Sequence, residues 1–152
     1  MRPLMVRREI AAPVTRVFEF ATDFRNAPGR IRAIQKVEIL TPGPTRVGTR
    51  FRETRRMFGR PATEELTVTA FEPGQRVALS ATNCGCRYQS EFRFHEQAGR
   101  TLVEFEFQAT PLSLLAKVLG VLFRPMLKKM VGECSKDLDD LARAAESDGA
   151  MG

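Results

Sequence analysis

Residues 111–146 read PLSLLAKVLGVLFRPMLKKMVGECSKDLDDLARAAE. Leu115, Leu119, Leu122, Met126, Met130, Cys134, Leu138, Leu141 and Ala145 recur every three or four positions, the stripe of one long amphipathic helix. Pro111 suits its first turn, where a missing N–H costs nothing. The first half is apolar almost all round, with Leu112, Leu114, Val118, Val121 and Phe123 joining the stripe, whereas the second half is two-faced. Pro125 removes an i→i−4 bond, so a kink or break is expected between Leu122 and Arg124. The piece 112–124 is then either a short helix of its own or a lid. A helix this long needs a broad apolar surface to lie against.

The preceding residues offer one. From Gly48 onward the pattern has period two: Phe51, Glu53, Arg55 and Met57 share one face of a strand, and Arg50, Arg52, Thr54 and Arg56 the other. Gly59-Arg60-Pro61 turns the chain into a strand over 64–71, with Leu66 and Val68 on one face. Strands follow over 76–82, through Tyr88, Ser90, Phe92 and Phe94, and through Val103, Phe105, Phe107 and Ala109. Upstream, Leu4 to Ile10 is a first strand and Ile34 to Leu40 a second. Between them Pro13 opens a helix carrying Val14, Val17, Phe18, Ala21 and Phe24, and Asn26-Ala27-Pro28-Gly29 ends it or hands over to another. The expected fold is α+β: about seven antiparallel strands curved around a long C-terminal helix, with two short helices between strands 1 and 2.

Composition agrees with one domain over 1–146 followed by a disordered tail over 147–152. The 152 residues are 43% hydrophobic and 28% charged, with a net charge of +6. A chain of that length buries roughly 70% of its unfolded surface and needs no staple. Three cysteines without framework spacing, no apolar leader and no run of about 20 apolar residues point to a cytoplasmic protein.

The opening IAAPVTRVFEFATDFRNAP, the central VGTRFRET and FEPGQRV, and the closing PLSLLAKVLGVLFRPMLKKM resemble the SRPBCC or START-like superfamily across essentially the whole chain. This is the Bet v 1-like helix-grip fold of pollen allergens, polyketide cyclases and lipid-transfer domains. The resemblance implies a hydrophobic cavity between sheet and C-terminal helix that holds lipids, quinones or polyketides, and in some members chemistry there. It transfers no catalytic residue, since the superfamily shares no catalytic motif.

The cavity candidates are Phe51, Glu53, Arg55, Met57, Val68, Tyr88, Phe92, Phe94, Phe105, Phe107, Leu119, Phe123, Met126 and Met130. Glu53 and Arg55 stand out, because charges among Phe51 and Met57 must pair or hold a polar head group. A carboxylate there would have a raised pKa, the usual origin of a general acid or base. His95, the only histidine, points outward, and Cys84-Gly85-Cys86 with Cys134 and His95 lacks zinc spacing. No metal, cofactor or catalytic group is expected. Binding or transport of a small hydrophobic molecule is the first reading. A cyclase or dehydratase using Glu53, Arg55 or Tyr88 is the second. A basic strand face docking on RNA, ribosome or anionic membrane is the third, with transient membrane contact and no DNA. The arginines lack the interleaved aromatics of a single-strand nucleic-acid platform.

Overall fold

A computed structural model describes residues 3–57, 59–83, 85–122 and 124–151. Seven strands form one antiparallel sheet: β1 (Leu4–Ile10), β2 (Ile34–Ile39), β3 (Arg50–Met57), β4 (Arg60–Glu72), β5 (Arg76–Asn83), β6 (Cys86–Gln97) and β7 (Arg100–Pro111). Their lateral order is β1-β7-β6-β5-β4-β3-β2, so the first two strands are opposite edges. The chain crosses from one edge to the other through α1 (Val14–Thr22) and a 3-10 helix over Phe24–Gly29. This α+β, seven-stranded arrangement is the helix-grip fold expected from the sequence.

The C-terminal stripe is two helices, α2 (Leu114–Leu122) and α3 (Arg124–Met151). The kink or break expected between Leu122 and Arg124 falls on Phe123, which lies outside the described residues. Three boundaries differ from the sequence reading. Pro111 closes β7 opposite Cys86, and Ser113 begins α2 by accepting the Ala116 N–H at 3.1 Å, an N-cap. Pro61 lies within β4, not in a turn. Arg56 opposite it donates its N–H to Ala33 on the other side at 2.8 Å, so the Pro61 nitrogen faces away from β3, along a stretch that β5 does not reach. Lastly, α3 runs on through Met151 instead of ending at Glu146.

The core is packed at one end of the sheet. Ile10, Val17, Phe18, Phe94 and Val103 meet Leu138, Leu141, Ala142 and Ala145 from the second half of α3. Two long-range carboxylates fix that helix: Glu146 accepts the Ala11 N–H and Asp140 the Arg32 N–H, each at 2.9 Å. Toward the other end the sheet opens. Strands β4 and β5 pair only as far as Thr67 and Ser80, with a bulge between Val68 and Ala70, and residues 60–66 follow β3 alone.

Candidate functional site

Where β4 parts from β5, the concave face and α3 enclose a cavity of about 320 Å³. Its walls are mainly apolar. The sheet contributes Val37, Phe51, Leu66, Leu79, Phe92 and Phe105; α3 contributes Met130, Cys134 and Leu138; the crossing segment adds Phe20, Phe24 and Ile31. Aromatic contacts hold these walls in shape. Phe24 stacks on Phe51 with centroids 4.3 Å apart, Phe92 leans on Phe105 at 4.7 Å, and Tyr88 stacks on Phe107 at 5.9 Å.

Apart from Arg30, which pairs with Asp23 at 3.0 Å and lies 3.9 Å over the Phe20 ring, the charged part of the wall is one cluster. Strand alternation turns Glu53 and Arg55 to the same face as Phe51, and α3 brings Asp137 against them. The Arg55 Nη2 donates to Asp137 Oδ2 at 2.8 Å and lies 3.5 Å from Glu53 Oε1. Glu64, opposite Glu53 across the β3–β4 ladder, also faces the cavity. Two carboxylates therefore share one guanidinium, with a third, Glu64, in the same wall. Burial raises the Glu53 pKa; Arg55 pulls it back, while Asp137 and Glu64 push it further up. Asp137 is raised by burial as well, against the pull of Arg55. Burial alone would loosen the proton on Arg55, but the two carboxylates outweigh it and hold the guanidinium charged. Nearby, burial pushes the Cys134 thiol up to about 11. Asp137 Oδ1 is buried without a hydrogen-bond partner among the described residues. An acceptor in that state is an opening for a donor brought by a ligand.

Of the residues singled out from sequence, Phe51, Glu53, Arg55, Tyr88, Phe92, Phe105, Phe107 and Met130 line the cavity. Val68 and Phe94 share the concave face but lie in the packed core, Phe94 edge-on to Phe18 at 5.2 Å. The side chains of Met57, Leu119 and Met126, and all of Phe123, fall outside the described residues. Asp137, Glu64, Cys134 and the crossing segment were missed. Asp137 had a signal: it sits three residues after Cys134 and four before Leu141, on the apolar stripe. His95 is exposed on the convex face, 2.6 Å from Glu104. Cys84 lies outside the described residues. Among those described, no cluster of three or more His, Cys, Asp or Glu is placed to hold a metal, and no helix is long and apolar enough to cross a membrane.

The convex face carries most of the arginines that read as a basic surface, and several of them are paired there. Arg7 meets Glu104 at 2.8 Å, Arg52 meets Glu38 at 2.9 Å, Arg76 meets Glu91 at 2.6 Å and Arg100 meets Glu9 at 2.8 Å; Arg50 pairs with Glu65. A smaller depression of about 200 Å³ on that face is bordered by Gln89, Glu91, Glu106 and Gln108. Arg93 bridges two of these, reaching Glu91 at 2.5 Å and Glu106 at 3.8 Å.

A cavity of this kind between a curved sheet and its terminal helix agrees with the sequence comparison. The profile of the family described as polyketide cyclase / dehydrase and lipid transport matches residues 2–146. The chain belongs to that family. No curated protein matches it in sequence. Among solved structures, TTHA0849 from Thermus thermophilus is 17% identical with a TM-score of 0.78, over 96% of this chain and 98% of that one. The Zhui aromatase/cyclase from a Streptomyces species is 19% identical with a TM-score of 0.75, over 95% and 93%. Ara h 8.0201 is 14% identical with a TM-score of 0.69, over 96% and 98%. Identities this low speak for a shared fold. The family's description covers both ligand carriage and cyclisation.

Proposed function

We propose that this chain binds a small, largely apolar and uncharged molecule in the cavity, with a hydrogen-bonding end against Glu53, Arg55 and Asp137. Phe51, Tyr88, Phe92, Phe105, Phe107 and Met130 would hold its apolar body. One observation carries this reading: apart from Arg30, which is paired with Asp23, the chamber is mainly apolar around a buried cluster that has more carboxylates than cations and, among the described residues, an unsatisfied acceptor at Asp137 Oδ1. At the cluster an anionic head group would face Glu53, Glu64 and Asp137 with only a shared Arg55 in return, and Arg30 elsewhere in the wall is already paired with Asp23. A hydroxyl, phenol or keto oxygen would meet no such repulsion, which suits a neutral lipid, a quinone or a polyketide-like ring. Calorimetric titration with a quinone, a long-chain alcohol and the carboxylate of equal chain length tests this. The neutral compounds should bind more tightly at neutral pH, and Ser90→Phe, which intrudes on the cavity, should abolish binding. Preference for the carboxylate, or no effect of Ser90→Phe, would overturn the reading.

The same cluster favours a second reading, a cyclase or dehydratase. Two carboxyls with raised pKa values flank an arginine within hydrogen-bonding reach. Such groups could pass a proton while Arg55 steadies a developing enolate oxygen. In that case Glu53→Gln and Asp137→Asn would stop turnover of a poly-keto substrate yet leave its binding measurable. Under simple carriage neither variant would have any turnover to lose.

A further inference from the structure

The outer face of α2 is the least protected apolar surface among the described residues. Leu114 is 78% exposed, Leu115 68%, Val118 53% and the preceding Leu112 51%. At about 100° per residue, Leu114, Leu115 and Val118 fall within one third of the helix circumference, and Ala116 lies opposite. Ala116 is the buried side: its Cβ stands 3.6 Å from where a side chain on Gly85 would begin. The Leu112 N–H also bonds the Gly85 carbonyl at 2.8 Å. The helix is thus seated on the β5–β6 turn with its leucines directed away from the body.

Charge around this helix differs from charge elsewhere on the molecule. The chain has no carboxylate between Glu106 and Glu133, between Ser80 and Ser90, or between Thr54 and Thr63. These stretches are α2 with its flanks and the two hairpin tips on the same rim of the sheet. They carry Arg56, Arg60, Arg87, Lys117 and Lys129, all exposed, and none pairs with a carboxylate among the described residues. On the convex face the arginines named above all have acidic partners. Unpaired cations beside exposed leucines are the composition of an interfacial helix on an anionic bilayer.

We propose that α2 and the carboxylate-free rim beneath it dock on an anionic lipid surface. Leu112, Leu114, Leu115 and Val118 enter the acyl boundary, while Arg87, Lys117 and Lys129 meet lipid phosphates and carboxylates. A second copy of the chain fits less well, since a two-fold contact through α2 would set these cations against their own images. RNA would satisfy the cations and leave the leucines in water. The inference stands on a different surface from the cavity, so either reading can fail alone.

Flotation of the full chain with phosphatidylcholine vesicles, with and without phosphatidylserine, tests it. Binding should require phosphatidylserine and fall as salt rises. Leu114→Asp/Leu115→Asp should reduce partitioning by about tenfold or more. Both side chains are exposed, so the melting temperature of that variant should not change. Arg87→Glu/Lys117→Glu should remove the preference for phosphatidylserine, and Arg100→Gln, on the paired face, should leave it intact. No flotation, or equal flotation of the double aspartate variant, would overturn the proposal. So would self-association or capture of an acidic protein that depends on the same leucines while vesicles are ignored.

Discussion

The two ends of one concave sheet face differ more than their sequences do. At one end Phe94, Val103 and Phe18 pack with Leu138, Leu141, Ala142 and Ala145 in the buried core. At the other, Tyr88, Phe92, Phe105 and Phe107, on the same strands and the same face, border a void. Hydrophobicity does not separate them, since both are rich in phenylalanine. Separation of the walls does: β4 leaves β5 beyond Thr67, and α3 presents Met130, Cys134 and Asp137 there, with Leu138 and Leu141 where the void meets the core. Strand alternation therefore chooses the face, and the course of α3 chooses which part of that face stays empty.

The largest effect should come from truncating the two halves of α3 separately. Leu138 is 2% exposed at the junction of core and cavity, so Leu138→Ala should cost roughly 2–5 kcal/mol in urea unfolding. Met130→Ala, which enlarges a space already present, should cost about 1 kcal/mol or less. Equal losses would mean that the void is as tightly organised as the core, and the contrast would collapse.

A smaller effect, on the order of 2 kcal/mol, is expected for Arg55→Met, which leaves Glu53 and Asp137 facing each other without their cation. The loss is limited because both carboxyls can take up protons. Their pH dependence sharpens the point. Both carboxyls have folded pKa values raised above the unfolded ones, chiefly by burial, so each holds its proton more firmly in the folded chain. The stability they contribute is complete below the ordinary carboxylate range, about 4, and is lost as pH climbs through the raised folded values. Unfolding midpoints across that window should fall with rising pH in the parent, fall more steeply in Arg55→Met, and flatten in Glu53→Gln. An unchanged slope in Glu53→Gln would place its carboxyl in water.

Much of this was legible in the sequence because it depends on period. Two against 3.6 distinguishes seven strands from the terminal stripe, and parity with Phe51 turns Glu53 and Arg55 inward. Parity also drew Val68 and Phe94 into the candidate site, since it carries no information about position along the strand. Asp137 was hidden in a run with Asp139 and Asp140 that reads as a solvated end, although helical spacing sets it beside Cys134. Phe20, Phe24 and Ile31 could not be found, because nothing local says that the segment after β1 crosses the whole sheet. The charge balance of the basic strand face was illegible for a similar reason. Arg50 and Arg52 are met by cross-strand glutamates, and only the register brings Arg50 opposite Thr67 and beside Glu65.

The smallest expected effect distinguishes an accessible void from a sealed one. Cys134 lines the cavity and burial pushes its thiol up to about 11, so at pH 8 only roughly one molecule in a thousand carries the thiolate. Iodoacetamide should therefore label it slowly, and the rate should keep rising with pH beyond the point where an ordinary cysteine levels off. A neutral ligand lodged beside Met130 and Cys134 should slow the labelling further and should not lower the pH at which the rate levels off, because it blocks approach and buries the thiol more deeply. Peptide mapping separates Cys134 from Cys84 and from Cys86, the latter at the start of β6 and off the cavity wall. If labelling proceeds at the unfolding rate whatever the reagent concentration, the void is closed to solutes of that size. A ligand could then enter only when α3 moves away from the sheet, and the open end would behave as part of the core until it does.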